Sequence, residues 1–317
     1  MKSSSTAVAL TPCSNYKLHI LTDALDRILR EVELPLNLRS SKVLLKPNLI
    51  SAKAGHLPCT EGALILAVAR WLIDCGAQVS VGDSPAFGSA TMVLNALGLT
   101  DELANLGVRV QNFNRATTVH LPGGGRAMLA QAAMESDLLV NLPRVKAHVQ
   151  ARLTLAVKNF FGCLVGLRKA WWHMAYGSTN DKGDGAVEFS DRLVRIPAAL
   201  PNSLSIVDGI IAMHKSGPIN GAPYPLSLLA ASTDPVAADR ALHEILLVNP
   251  LRSPLMSACQ RAGMVGATLS QLSFPLSTPQ ELQVTDFQIP EELKPIRFNP
   301  FRFLTKRANS ILRLKNN

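Results

Sequence analysis

The sequence predicts an α/β fold, in which a mostly parallel sheet is flanked by helices and arranged as two packed lobes. Two observations support this prediction. Short apolar runs of strand length alternate with apolar-periodic stretches of helix length along most of the 317 residues. Hydrophobic residues make up 47% of the chain, which fits a folded core and excludes a disordered protein.

The first half of the chain shows this alternation most clearly. Strands are predicted where a short apolar run is closed by Pro, Gly or a polar turn, and helices where apolar residues recur at helical spacing. The predicted strands are Lys42–Pro47, Gln78–Gly82, Val108–Gln111 and Leu138–Leu142. The predicted helices are Leu21–Glu31, a helix capped by Thr60 and ending near Gly76, Ala90–Leu97 and Met128–Glu135, followed after residue 150 by a helix that carries Lys158.

The second half repeats the pattern and ends in a different composition. A strand over Leu204–Val207 leads into Asp208 and Gly209, and a second strand covers Leu226–Ala231. Asp234 is the predicted N-cap of a helix that runs to about Leu246. The predicted organisation is a flexible N-terminus (1–16), a first lobe (17–145), a second lobe completing the site (146–275), and a Pro-rich connector with a basic amphipathic tail (276–317).

The net charge of +9 is concentrated in two segments. Residues 138–180 and residues 296–317 each contain six Lys or Arg and no acid, so the rest of the chain carries a net charge of −3. The first segment favours binding of an anion. The tail could lie on an anionic membrane surface or pack on the body as an ordinary helix. Nucleic acid is an unlikely partner, because aromatic residues are scarce and no recognition module is present.

Cysteine spacing and hydropathy limit the class of protein. The five cysteines form no CxxC pair, so no zinc or iron–sulfur motif is encoded. The chain also lacks an apolar run long enough to cross a bilayer and an apolar core typical of a secretory signal. These features predict a cytoplasmic protein with reduced thiols, and the tail offers the alternative of a peripheral position at a membrane.

Candidate binding residues follow predicted strands, because functional loops in parallel sheets lie at the carboxyl ends of the strands. Lys46 and Asn48 follow the first strand, Asp83 the second and Lys146 the fourth, and Asp208 ends a strand in the second half. The lysines suit an anionic ligand or cofactor. The two aspartates suit either a cation or ribose hydroxyls, or simply cap turns. The sequence does not identify a metal.

Three further residues are candidates for catalysis, and a fourth for binding. His148 and His173 suit proton transfer, and Lys158 would be costly to bury unless paired. Asn159 beside it is the candidate for binding.

Six strings place the chain near one family. They are VLLKPNLI (43–50), GDSP (82–85), DLLVNLPRVKAHVQARLTLAVKNFFG (137–162), IVDGI (206–210), GPINGAP (217–223) and STDPVAADR (232–240). In this order they resemble the family called domain of unknown function 362, over about residues 40–265. Members are often joined to a four-iron ferredoxin module, which implies iron–sulfur-linked redox chemistry. A redox role here would therefore need a separate ferredoxin-type electron carrier.

A more distant similarity links the chain to the lactate racemase family. There a lysine ten residues beyond a Pro-His loop carries a nickel-pincer nucleotide, and Lys158 follows His148 at the same spacing. The Gly-Gly before that lysine is replaced here by Ala156-Val157, and the family's earlier catalytic histidine has no clear counterpart near Asp83.

The function expected from these features is binding of an anionic small molecule or cofactor at a Lys/His-lined site, with acid/base or redox-linked chemistry. An enzyme of this kind would be an oxidoreductase or an isomerase or lyase. The alternatives are a non-catalytic scaffold held at a membrane or in an electron-transfer complex by its tail, and a lactate-racemase-like isomerase.

Overall fold

The computed structural model describes residues 5–34, 36–166, 168–169, 171–172 and 184–293, and it confirms the α/β fold. The strands are β1 (Thr6–Ala7), β2 (Ala9–Pro12), β3 (Lys42–Pro47), β4 (Gln78–Asp83), β5 (Arg109–Asn112), β6 (Ala116–His120), β7 (Arg126–Ala130), β8 (Leu138–Leu142), β9 (Arg144–His148), β10 (Arg152–Thr154), β11 (Ser203–His214), β12 (Ala222–Tyr224), β13 (Leu228–Ser232) and β14 (Leu272–Ser273). The helices are α1 (Leu18–Arg30), α2 (Gly62–Asp74), α3 (Ala90–Ala96), α4 (Thr100–Asn105), α5 (Gln131–Met134), α6 (Ala156–Asn159), α7 (Asp184–Leu193), α8 (Pro235–Ile245) and α9 (Pro254–Arg261).

Ten of these strands form one sheet. Its main path runs β10-β9-β11-β8-β3-β4-β5, while β12 and β13 pair with β11, and β2 pairs with β13. The pairings of β5 with β4, β4 with β3, β3 with β8, and β11 with both β8 and β9 are parallel. The carboxyl ends of β3, β4 and β8 therefore meet at one edge of the sheet.

Apolar clusters cover both faces of the sheet. Leu45 belongs to the cluster beneath α1 and α2, whereas its neighbour Leu44 packs with Val157 and Phe160 on the opposite face. Because side chains alternate along a strand, Lys46 extends from the same face as Leu44. The strand thereby directs a cation toward the segment that follows β10.

The prediction of a flexible N-terminus is wrong for residues 5–16. Strand β2 pairs with β13 in the main sheet, and Leu10 is fully buried. The Ser/Thr-rich composition suggested disorder, but the short apolar run from Ala7 to Leu10 completes a sheet edge. Residues 1–4 lie outside the described part of the chain.

Two predicted helices are also wrong in part. The stretch Met128–Glu135 is a strand, β7, followed by the single turn of α5, because β7 forms a hairpin with β6 through the turn at Gly123–Gly125. The helix expected after residue 150 begins only at Ala156, because residues 152–154 pair with β9 as β10.

The strand predicted to end at Val207 continues to His214 as β11. Asp and Gly usually end strands, and here both are accommodated inside one. The charge of Asp208 is paired with Arg144, and Gly209 lies so close to Leu228 of β13 that a Cβ would touch its side chain. The remaining strand predictions, and the helices at α1, α2, α3 and α8, are confirmed to within a few residues. The predicted cap of α2 is wrong, because Glu61 occupies the N-cap position without a side-chain cap hydrogen bond, and the Thr60 hydroxyl donates instead to the carbonyl of Leu142 (2.5 Å).

The predicted lobes share this sheet. The boundary expected between residues 145 and 146 falls within β9, and β11 pairs with β8 on one side of it and with β9 on the other.

Asp234 caps α8 as predicted. Its carboxylate accepts hydrogen bonds from the backbone N–H groups of Val236 (2.8 Å) and Ala237 (3.3 Å). We expect Asp234→Ala to lower the free energy of unfolding by about 1 kcal/mol, measured by urea denaturation. Asp234→Asn keeps a hydrogen-bond acceptor at the cap, so its loss in the free energy of unfolding should be only a few tenths of the loss caused by Asp234→Ala. Equal losses in the free energy of unfolding from both variants would show that the N-cap hydrogen bonds are not the source of the stabilisation.

Candidate functional site

A buried ion pair lies where β3 and β4 end. Lys46 Nζ is 2.8 Å from Asp83 Oδ1, and both side chains are almost fully buried. Lys46 also donates to the carbonyl of Pro47 (3.1 Å), and the second carboxylate oxygen of Asp83 accepts from the N–H of Leu49 (3.0 Å). The structure thus brings together two residues that the strand-end rule selected from separate parts of the sequence.

Asn159 joins this pair to the neighbouring strand. Its side-chain amide donates to Asn141 Oδ1 of β8 (2.8 Å) and to the carbonyl of Lys46 (3.2 Å), and its oxygen accepts from Lys46 Nζ (3.4 Å). Asn141 in turn donates to the carbonyl of Ala156 and to Ser205 Oγ, both at 3.1 Å. Asn159 therefore fixes α6 against the end of β3, as expected of a residue that orders the site.

Asp239 of α8 holds the other end of α6. Its two carboxylate oxygens accept from the N–H groups of Ala156 (2.7 Å) and Val157 (3.1 Å). Burial raises the pKa of Asp239 to about 8, although the two N–H groups act in the opposite direction. The short helix that carries Lys158 is thus positioned by a side chain about 80 residues away in the sequence.

Gly162 allows the turn after α6 to pack directly on the ion pair. A Cβ at this position would overlap Lys46 Nζ and Asp83 Oδ1. Glycine permits close approach of the backbone, and the group that Gly162 approaches is the Lys46–Asp83 pair.

We expect Gly162→Ala to lower the free energy of unfolding by about 1–3 kcal/mol, because the added methyl group must separate the ion pair or displace the turn. Gly62→Ala is a matched control. Its methyl group would meet only the side chain of Leu99, which can move, so a loss below about 1 kcal/mol is expected in the same urea titration. Equal losses in the free energy of unfolding from Gly162→Ala and Gly62→Ala would contradict the close packing of Gly162 on the ion pair.

Lys146 is buried nearby with an uncharged partner. Its Nζ donates to the carbonyl of Pro58 (2.7 Å), which also accepts from Asn48 Nδ2 (2.9 Å). Burial lowers the pKa of Lys146 to about 7, with Lys158 and Arg144 lowering it further and Cys59 and Asp83 opposing them. Lys146 can therefore exchange a proton near neutral pH.

Lys158 and Lys169 are partly exposed. Burial lowers the pKa of each to about 8. Lys158 Nζ lies 5.4 Å from the centre of the Phe161 ring, and Lys169 Nζ donates to the carbonyl of Ser84 beside Asp83. Asp83, Lys46, Cys163 and Lys158 are all close enough to shift the pKa of Lys169. We call Lys46, Lys146, Lys158 and Lys169 the amine cluster.

Sequence reasoning did not select Lys169 as a site residue. It was counted in the acid-free basic segment, but no motif distinguishes it there. Its role depends on where the chain returns after Cys163, which local patterns do not reveal.

His148 is buried at the end of β9, where strand alternation puts it on the same face as Lys146. Its Nδ1 accepts from the N–H groups of Gln150 (3.1 Å) and Ala151 (3.3 Å). In the neutral ring these bonds place the proton on Nε2, so the orientation and tautomer of His148 are fixed.

Asp208 lies in a second charge network. Its carboxylate accepts from Arg144 (3.0 Å), from the Tyr16 hydroxyl (2.6 Å) and from the N–H of Glu61 (3.1 Å). Arg144 also contacts the carboxylate of Glu61 (3.2 Å). Burial alone would lower the pKa of Arg144, but Asp208, Tyr16 and Glu61 raise it above its ordinary value. These partners satisfy the buried charge of Asp208 without a ligand. From the sequence, Arg144 was counted among the cations of residues 138–180 but was given no role.

Several predictions from the sequence concern features other than the site described above. His173 and the tail over 296–317 lie outside the described residues. Within the described part of the chain, no three His, Cys, Asp or Glu side chains are grouped so that they could hold a metal ion. Among those same residues, no helix has the length and apolar content needed to span a bilayer.

Comparison with known proteins agrees with the sequence motifs. The model of a family described as domain of unknown function 362 matches residues 43–244, which include Lys46, Asp83, Lys146 and Lys158. The chain belongs to this family. The matched range contains the whole amine cluster together with Asp239, so the site described above lies inside the family domain.

Three similar proteins give context for this family member. A thylakoid-associated protein of Synechocystis sp. is 38% identical over 265 residues, covering 83% of this chain and 80% of that protein. The lactate racemase apoprotein of Thermoanaerobacterium thermosaccharolyticum is 14% identical with a TM-score of 0.46, over 75% of this chain and 58% of that one. A structural-genomics protein of Thermotoga maritima is 10% identical with a TM-score of 0.47, over 80% and 60%. The chain therefore spans less than two thirds of either solved structure.

Proposed function

We propose that this protein binds an anionic small molecule or cofactor at the amine cluster and transfers protons to or from it. The observation that carries the proposal is that Lys46, Lys146 and Lys169 surround one carboxylate, Asp83, at the carboxyl end of a parallel sheet, with Lys158 close to Lys146 and Lys169. Loops at this end of such sheets are where ligands bind in α/β folds. Ammonium groups supply both the charge and the hydrogen-bond donors that an anion needs.

Proton transfer is supported by the lowered pKa values of the cluster. A general acid or base works best when its pKa lies near the working pH. Lys146, with a pKa of about 7, and Lys158, with a pKa of about 8, meet this condition through burial. His148, fixed on the same face of β9 as Lys146, is the proposed second proton carrier.

Binding is tested by measuring the unfolding temperature of the purified protein with a panel of carboxylates and phosphate esters. We expect a subset to raise the unfolding temperature, and Lys158→Met to remove the effect. Lys42→Met is the matched control, since Lys42 is exposed at the opposite end of β3. A panel in which no anion stabilises the protein, or in which both variants respond alike, would contradict the proposal.

Proton transfer needs a separate readout. A bound carboxylate with an acidic C–H bond, incubated with the protein in D₂O, should lose its C–H signal in proton NMR as deuterium is incorporated. We expect exchange to slow at least tenfold in Lys146→Met or in His148→Ala, within the range that a positioned acid or base contributes. Exchange that is equally fast without protein would contradict this part of the proposal.

A nickel-pincer nucleotide carried by Lys158 is the cofactor that the sequence similarity to lactate racemases implies. One feature fits, since the partly exposed amine of Lys158 has a lowered pKa and hence a neutral fraction that can be acylated. Another feature does not fit such a site, since the backbone N–H groups of Ala156 and Val157 both donate to Asp239. Intact-mass and metal analysis of anaerobically purified protein tests this. An unmodified, nickel-free chain from a host that makes the cofactor would exclude it.

Peripheral membrane association is a second candidate function. It is favoured by the thylakoid-associated relative and by the six cations without an acid in residues 296–317. Each such cation contributes about 1 kcal/mol at an anionic surface. We expect the full chain, but not a chain ending at residue 295, to sediment with vesicles containing anionic lipid. Equal sedimentation of both forms would contradict a role for the tail.

A further inference from the structure

Three members of the amine cluster have only uncharged partners among the described residues. Lys46 is neutralised by Asp83, but Lys146 donates to the carbonyl of Pro58 and Lys169 to the carbonyl of Ser84. Lys158 faces the ring of Phe161. A carbonyl or an aromatic ring attracts a cation but does not cancel its charge.

The charges around these three amines do not compensate for them. Lys146 is surrounded by Cys59, Lys158, Arg144 and Asp83, and the charge of Arg144 is already matched by Asp208 and Glu61. Lys169 is surrounded by Asp83, Lys46, Cys163 and Lys158. The two cysteines are held as neutral thiols, because burial raises the pKa of Cys59 above its ordinary value and that of Cys163 to about 12. Within the described part of the chain, Asp83 is therefore the carboxylate shared by Lys46, Lys146 and Lys169, and no carboxylate is found to act on Lys158.

Buried charges in proteins are stable when they are paired. After the Lys46–Asp83 pair is subtracted, the cluster has places for three positive charges, and the residues that the structure describes supply no negative charge to balance them. We infer that the ligand of this site carries at least two negative charges, as phosphate monoesters and dicarboxylates do, and that it binds together with protons. This inference rests on the proposed anion-binding function and adds the charge of the ligand to it.

The geometry also explains why a single negative charge is insufficient. Lys158 and Lys169 are the partly exposed members of the cluster, and Lys169 donates to the carbonyl of Ser84, which is itself partly exposed. A monoanion that paired with one of them would leave the other and Lys146 uncompensated. A dianion can pair with both and still attract a proton to Lys146.

Proton uptake has a definite sign. The three amines have pKa values of about 7 to 8, below the ordinary lysine value. Each amine is therefore mostly neutral at a pH above its pKa. A dianion binds the protonated forms better, which raises these pKa values in the complex. Its affinity should therefore increase as the pH is lowered from about 9 to about 7, and protons should be taken up on binding.

The test is isothermal titration calorimetry of the full chain with sulfate, succinate and acetate at constant ionic strength. Sulfate and succinate represent the two kinds of dianion and remain dianionic between about pH 7 and about pH 9, while acetate is the monoanion. We expect at least one dianion to bind about tenfold or more tightly than acetate, a difference of about 1.4 kcal/mol. Repeating the titration in buffers of different ionisation enthalpy should reveal net proton uptake.

Lys169→Met should bring the affinity for the dianion closer to the affinity for acetate. Lys42→Met should leave the ratio of the two affinities unchanged. If Lys169→Met fails to fold, the wild-type comparison of dianion with monoanion still decides. Acetate binding as tightly as both dianions, or dianion binding without proton uptake, would overturn the inference and leave the proposed function standing. Failure of all three probes and of the wider anion panel would instead overturn the proposed function itself.

Discussion

Lys46→Met is expected to lower the free energy of unfolding by about 3–5 kcal/mol, because it removes the cation that pairs with the buried carboxylate of Asp83 at 2.8 Å. Both side chains of this pair are at most 4% exposed, so solvent cannot replace the missing partner. The measurement is urea denaturation followed by circular dichroism near neutral pH.

A double variant distinguishes a charge effect from a packing effect. Lys46→Met combined with Asp83→Asn removes both charges and keeps an acceptor for the N–H of Leu49, so most of the lost stability should return. A double variant no more stable than Lys46→Met alone would mean that the lysine contributes through packing. The unfolding slope in urea should stay constant across the series, as two-state behaviour requires.

Arg144→Met is the second large effect, also about 3–5 kcal/mol. It leaves the fully buried carboxylate of Asp208 facing the partly buried carboxylate of Glu61 without the cation between them. It also removes the donors to the carbonyls of Leu57 (3.0 Å) and His56 (3.4 Å), which anchor the loop before α2.

The matched control is Arg70→Met. Arg70 and Glu102 are 3.8 Å apart, and both side chains are more than 40% exposed. Solvent screens such a pair, so the loss should be below about 1 kcal/mol. If the two arginine variants lose the same stability, the burial of the Arg144 network is not what makes it important.

The sequence predicted the parallel part of the sheet well for a physical reason. Strands buried on both faces, such as β3 and β8, are short continuous apolar runs. The predicted end of β3 located Lys46, and the predicted end of β4 located Asp83. Strand β9 was missed because Arg144, Lys146 and His148 make it polar. The partners that allow Arg144 and Lys146 to be buried come from the distant residues 57, 58 and 208, whereas His148 accepts from the backbone N–H groups of residues 150 and 151.

Other parts of the site could not be predicted from local pattern. Asp239 has no local signal that marks its role, and it acts on the backbone of α6. Lys169 approaches Ser84 across 85 positions of sequence. Contacts of this kind depend on how the chain returns to the sheet, which neither periodicity nor composition encodes.

Strand β11 has a consequence for how the chain folds during synthesis. It supplies the pairing edge for β8 and β9 together, and its residues 203–214 are made after both of them. Until β11 emerges, the strands that carry Asn141 and Lys146 expose unpaired backbone, which is the kind of edge that promotes aggregation. Asp239, needed to hold the helix of Lys158, emerges later still. A nascent chain stopped before residue 203 should therefore bind chaperones, and one stopped before residue 239 should lack a functional site, although all four lysines of the amine cluster have already been made.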